Sequence, residues 1–211
     1  MRDNQTSIEK VLASKGWADF ISFAVDELEK EGLMLVIEER QYLQDSCGRF
    51  RGYFSEEIGV CVASKAWYWP LVLIHEMSHF LIWKQNDRHL DFLPNVLLTK
   101  WLEGGEIDNP SEVILNCLND ELVTERKTVE VLHRFNIPYD TGTYIKDANA
   151  YLLFWCWVLD HRKWDNRVAS DSKVISLCCD YFFDGPYDYI LEYQKNHELR
   201  LAMNEAHDAK P

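Results

Sequence analysis

The chain has no long hydrophobic run. Its longest, YLLFWCWVL at residues 151–159 with Ala150 before it, has ten residues, whereas crossing a bilayer takes about 20, so no membrane partner is expected. The opening residues, MRDNQTSIEK, hold none of the apolar stretch that a secretory signal carries. Cations are scarce as well. Lys and Arg number 22 against 35 Asp and Glu, a net charge of −13, which repels phosphate backbones and argues against nonspecific nucleic-acid binding. The six cysteines, Cys47, Cys61, Cys117, Cys156, Cys178 and Cys179, show no C-x-x-C spacing. The chain also exceeds the size at which secreted scaffolds rely on disulfides, so reduced thiols are expected, with Cys178 and Cys179 in the core. No Gly/Ser linker, low-complexity tract or internal repeat divides the sequence. These absences point to a soluble, cytoplasmic single domain over residues 1–211 whose partners are proteins or peptides.

What is present is apolar and aromatic. Hydrophobic residues make up 47% of the chain and eight are tryptophan, enough for a large core. Helical spacing of Val11, Leu12, Phe20, Phe23, Ala24 and Leu28 predicts a first helix over about 6–31, stopped by Gly32. LMLVIEERQYL reads as a strand, and FRGYFSEEIGVCVAS as two short strands joined at Ser55-Glu56-Glu57. Pro70 suits the first turn of a helix running to about Trp83, and KQNDRHLDFLPN reads as mostly connection. Asn109, Pro110 and Glu112 have the pattern of a cap, first turn and capping box for a helix to about Phe135, where Asn136 and Pro138 stop it. A further helix over about 144–164 and a helical C-terminal third complete an α+β pattern.

Within WYWPLVLIHEMSHFLIW, residues 67–83, His75, Glu76 and His79 interrupt an otherwise apolar helix. Residues four apart lie on one face, rising by about 6 Å. Two neutral imidazoles so placed can each offer a nitrogen to one Zn²⁺, and Glu76, turned by about 100°, can act as general base towards its water. A histidine in an apolar helix is more often a hydrogen-bonded core residue. Here, however, three polar groups sit together among Leu71, Val72, Leu73, Ile74, Met77, Phe80, Leu81 and Ile82, and burying them unpaired is costly. A metal would satisfy them together.

Such a site needs a third protein ligand. The apolar stripe Ile114, Leu118, Leu122, Val129 and Leu132 also receives Glu121 and Glu125 at i, i+4 spacing. In NDELVTERK a solvated edge, with Glu125 paired to Arg126 or Lys127, is the plain alternative. Periodicity places Glu125 nearer the centre of the stripe than Glu121.

With LIHEMSHF, the strand pattern before it and NDELVTERKTVEVLHRFNIP about 40 residues later, the chain resembles a minimal gluzincin. That is the zinc metallopeptidase group with two histidines and a helical glutamate. It is similar to small single-domain zincins, SprT-like and related, of bacteria and phages; a phage-encoded member would work in the host cytoplasm. The resemblance covers roughly residues 33–151. It implies a short, mostly antiparallel sheet packed on the H-E-x-x-H helix and a second glutamate-bearing helix, with a helical extension over about 165–211.

The same resemblance implies Zn²⁺ held by His75, His79 and Glu121, with Glu76 as catalytic base and Glu125 orienting a histidine or, alternatively, binding the metal. Glu125 stands where the family has the shorter Asp, which leaves the two roles exchangeable. The resemblance further implies that the strand before the motif, with Ile58, Gly59, Val60, Cys61 and Val62, is a sheet edge for an extended peptide. An oxyanion donor is also required, for which Tyr144, Tyr151 and His133 are candidates. The expected activity is that of a zinc-dependent endopeptidase on protein substrates. The alternative is a binding or inhibitory protein on the same scaffold that engages a partner without cleaving it.

Overall fold

Two short segments rich in β-branched and aromatic residues, GYFS and GVCVA, fold back on each other across the acidic turn Glu56-Glu57. The computed structural model of the chain describes residues 11, 13–44, 49–66, 68–86 and 93–209. Residues 1–10, 12, 45–48, 67, 87–92 and 210–211 lie outside it, and with them the start of the expected first helix, Cys47, His89 and part of the connection expected after residue 83.

Helix α1 spans Lys15–Glu29, followed by strands β1 (Met34–Glu38), β2 (Leu43–Gln44), β3 (Arg49–Phe50), β4 (Gly52–Ser55) and β5 (Gly59–Ala63). The helices after them are α2 (Trp69–Gln85), α3 (Leu93–Leu102), α4 (Pro110–Arg134), α5 (Thr141–His161), α6 (Asn166–Ala169), α7 (Ser172–Leu177), α8 (Pro186–Lys195) and α9 (His197–Asp208). The fold is α+β. None of the described helices is long and apolar enough to cross a membrane.

The chain falls into two compact units, Met1–Leu90 with Lys127–Pro138, and Asp91–Arg126 with Tyr139–Pro211. The single domain expected over residues 1–211 thus contains two compact units. The physical reason lies in α4, which at about 1.5 Å per residue is on the order of 37 Å long and outruns one small core, so each unit takes part of it.

In the first unit the sheet order is β1-β5-β4, with β1 parallel and β4 antiparallel to β5. The sheet is mixed rather than mostly antiparallel, because the chain returns through β2, β3 and β4 before β5 runs alongside β1; β2 and β3 form a separate antiparallel pair. β5 is the central strand and is buried along its whole length. At its start Gly59 pairs with Met34 at φ +114, and a Cβ there would lie 2.2 Å from the Met34 carbonyl oxygen. Only glycine fits that approach.

α1 packs against β1, and α2 packs against β4 and β5. Phe54 meets Phe80 and Trp83 at 5.7 and 5.5 Å. Lys84, at the end of α2, bridges Glu27 and Glu31 at 3.0 Å each. Those bonds raise the lysine's pKa, and Glu27 is lowered by Lys30 and Lys84.

The second unit is organised on α5, which packs against α6, α7, α8 and α9. The run YLLFWCWVL, too short for a bilayer, lies in the second half of this core helix, with Phe154 stacked on Trp157 at 5.8 Å. Asp140 caps it by accepting from the Thr143 amide at 2.6 Å, and it ends at Arg162 in the left-handed region. The Arg162 guanidinium then donates to the carbonyls of Trp101 and Gly105 at 2.7 and 2.6 Å.

Two local expectations need correction. Part of the expected connection is helical, because Leu98 and Trp101 of α3 bury an apolar face. At the start of α4, Asn109 has φ +50, and its side-chain amide donates to the Glu112 carboxylate at 2.8 Å instead of accepting from the backbone. The expected capping box is therefore a side-chain pair.

The Gly59 geometry makes a direct prediction. Gly59→Ala should cost about 2–3 kcal/mol in chemical denaturation, from strain at positive φ plus the clash with Met34. An unchanged denaturation midpoint would mean that the β1–β5 register is wrong.

Candidate functional site

α2 is apolar on nearly all sides, with Leu73, Ile74, Met77 and Phe80 fully buried. Into this helix His75 and His79 bring rings whose centroids are 4.8 Å apart at 83°, with the two Nε2 atoms 3.2 Å from each other. Two nitrogens bound to one tetrahedral ion at about 2.0–2.1 Å would stand about 3.3–3.4 Å apart. The pair thus already has the separation of two ligands on one ion, although a hydrogen bond between neutral rings has the same length. Burial, and then the charge on His75, pushes the His79 pKa down to about 3. That keeps the ring neutral and its nitrogen available at ordinary pH, the form a metal requires.

Between the histidines, Ser78 donates to the Ile74 carbonyl at 2.8 Å, one turn back, and accepts from Thr128 of α4 at 3.1 Å. Both residues are fully buried. This hydroxyl pair fastens the motif-bearing turn of α2 to the 127–134 stretch of α4. Thr128, Glu125 and Glu121 recur at spacings of three and four along the unbroken helix, so the two carboxylates share the face that Thr128 presents. Neither Ser78 nor Thr128 was among the expected site residues. Thr128 lies in the inward stripe traced by Ile114, Leu118, Glu121, Glu125 and Leu132, and that period was its available signal.

Glu76 is half-buried beside the sheet. A Cβ built on Gly52 would lie 3.0 Å from Glu76 Cγ and 2.6 Å from a Val72 methyl, so Gly52 is what lets β4 run this close to the glutamate. Burial, with the charges of Glu38 and Glu76, raises the pKa of the Cys61 thiol on the neighbouring strand. The expected peptide-binding edge needs correcting here. Gly59, Val60, Cys61 and Val62 belong to β5, paired on one side with β1 and on the other with β4, and the Ile58 carbonyl accepts from the Met34 amide at 2.8 Å. That strand has no open side, and the outer strands of the described sheet are β1 and β4.

In the second unit Glu125 is only 5% exposed, and one of its oxygens accepts the hydroxyl hydrogen of buried Tyr144. Asp147, a turn further along α5, has its pKa raised by burial and then by the charge of Glu125. Of the expected oxyanion donors, Tyr144 is thus committed to a carboxylate. Tyr151 stands two turns beyond it on the same stripe of α5, half-buried with its ring 6.1 Å from Trp155. His133 is exposed near the C-terminus of α4, roughly 18 Å along the helix from Glu121. Glu121 itself is half-buried.

The lowered pKa of His79 has a measurable consequence. Below its unfolded value of about 6.5 the unfolded chain binds a proton that the folded chain refuses until about pH 3, so metal-free protein loses stability as pH falls through that window. The loss should be on the order of 1–2 kcal/mol at pH 5, read from denaturation of chelator-treated protein. His79→Gln should flatten this part of the pH dependence. If the variant keeps the wild-type slope, His79 is not the buried neutral group.

No family model, curated protein or solved structure compared with this chain matches it, so functional interpretation rests on the paired imidazoles, their neighbouring glutamate and the carboxylate face of α4.

Proposed function

We propose that the chain is a zinc-dependent endopeptidase of the gluzincin type, with His75, His79 and Glu121 as metal ligands and Glu76 as general base. The observation that carries this reading is that one ligand atom from each of His75, His79 and Glu121 lies within 4.8 Å of the other two. A flexible glutamate can close that spread onto an ion bound at about 2.0–2.2 Å. Two imidazoles and a carboxylate suit zinc among the common metals. When bound, zinc lowers the pKa of a water molecule towards about 7 and polarises the scissile carbonyl.

The protein groups then have distinct tasks. Glu76 accepts a proton from the water whose oxygen adds to the carbonyl carbon, and delivers it to the amine nitrogen as the C–N bond breaks. β4, the outer strand held close to Glu76 by Gly52, replaces β5 as the edge that pairs with an extended substrate. Tyr144 keeps Glu125 occupied, which supports Glu121 as the metal ligand and Glu125 as the group that orients a histidine.

The test has two parts. Purified protein should contain one zinc per chain and cleave an unfolded protein substrate. Glu76→Gln should retain the zinc and lose turnover, since the shape stays and the base goes. Turnover at the wild-type rate in that variant would sink the mechanism. Zinc bound without cleavage by the wild type would assign the chain to the binding or inhibitory class instead.

The carboxylates can be separated in the same preparations. Glu121→Gln should weaken zinc binding severely, while Glu125→Gln should lower it by about 10–100-fold. A larger loss for Glu125→Gln would exchange their roles.

A further inference from the structure

An acidic, aromatic cleft of about 340 Å³ lies between α8 and the segment before it, lined among others by Tyr181, Phe183, Asp184, Asp188, Leu191 and Glu192. Its apolar residues are unusually open to water. Tyr181 is 59% exposed and Leu191 52%, and Tyr187, one turn before Leu191 on α8, is 68% exposed. Three acids line the cleft beside them, Asp188 and Glu192 one turn apart on α8 and Asp184 in the segment before it, so apolar and carboxylate side chains lie next to each other. Three carboxylates face one lining cation, Lys195, which is 3.6 Å from Glu192.

The walls are held in place before any partner arrives. Fully buried Asn149 donates to the carbonyls of Cys179 and Tyr181 at 2.9 and 2.8 Å, and accepts from the Tyr189 hydroxyl at 2.6 Å. Arg126 donates to the carbonyls of Phe183 and Asp184 at 2.5 and 3.1 Å. Phe183 sets its ring edge-on to buried Tyr189 at 4.9 Å. Fixing the segment from both sides lowers the entropy lost when a ligand docks on it.

We propose that this cleft is a docking site for a positively charged peptide segment of a partner protein, one in which Arg or Lys alternates with apolar side chains. Aliphatic stems and guanidinium planes lie against Tyr181 and Leu191, and the charged heads reach Asp184 and Glu192. Charge decides between occupants. A second copy of this chain would bring the same carboxylates against them, and nucleic acid or an anionic membrane surface would be repelled by the cleft and by the net charge of −13. The inference stands independently of the peptidase reading.

The test is fluorescence anisotropy of the full chain with a fluorescein-labelled octapeptide alternating arginine and leucine, beside an octapeptide alternating glutamate and leucine. The cationic probe should bind, more weakly as salt rises, and the acidic one should not. Asp184→Lys with Glu192→Lys should weaken binding at least tenfold, and Tyr181→Ala with Leu191→Ala by a comparable factor. Asp188 is left intact because it accepts from the Gly185 amide and caps α8. Glu29→Lys with Glu103→Lys, exposed acids elsewhere, makes the same change in net charge and should leave binding within about twofold. Equal weakening by the two charge reversals would show generic attraction to an acidic protein and overturn the proposal. So would the absence of binding by the cationic probe, or insensitivity to the loss of Tyr181 and Leu191.

Discussion

Placing ionisable side chains inside an apolar helix is the constraint on which the rest of this structure turns. α2 has no wholly polar face, and His75, Glu76 and His79 are half-buried on it, so the surroundings must supply part of what water would have given them. The imidazoles stand nitrogen to nitrogen at 3.2 Å, and burial drives His79 to its neutral form. Ser78, between them in sequence, is anchored by the Ile74 carbonyl and the Thr128 hydroxyl. A neutral, positioned imidazole pair is expensive to assemble, and on the proposed reading a bound cation would offset that cost.

α4 answers the same constraint from its own side. Its inward stripe is apolar at Ile114, Leu118, Leu122 and Leu132, yet carries Thr128, Glu125 and Glu121 in the same register. A carboxylate as buried as Glu125 needs a donor, and Tyr144 provides one. The two acids of the helix therefore sit in different environments, Glu125 buried against the Tyr144 hydroxyl and Glu121 half-buried.

The parts that were legible in the sequence are those set by local periodicity. The convergence of His75 and His79 follows from a four-residue spacing, and the burial of Glu125 from its place in the stripe of α4. Both helices span close to the range that their apolar spacing and stop residues predict; Asn136, with φ +48, is the stop expected for α4. Strand order is not local. GVCVA reads equally well as a central or an outer strand, and only the return of the chain past β1 makes it central. The Asn109 cap was misjudged because residue types encode the capacity to cap but not the φ angle that directs the side chain. One of the boundaries between the two units, at residues 126 and 127, falls inside α4, where no linker composition can mark it.

Gly52 shows how a residue without chemistry of its own can decide what a site does. Any side chain on that strand position would press on Val72 and on Glu76 itself, pushing β4 outwards or turning the glutamate away. With glycine there, an outer strand and the one carboxylate of the H-E-x-x-H motif lie in contact. On the peptidase reading proposed above, this places a backbone edge able to pair with an extended chain against the half-buried carboxylate of Glu76.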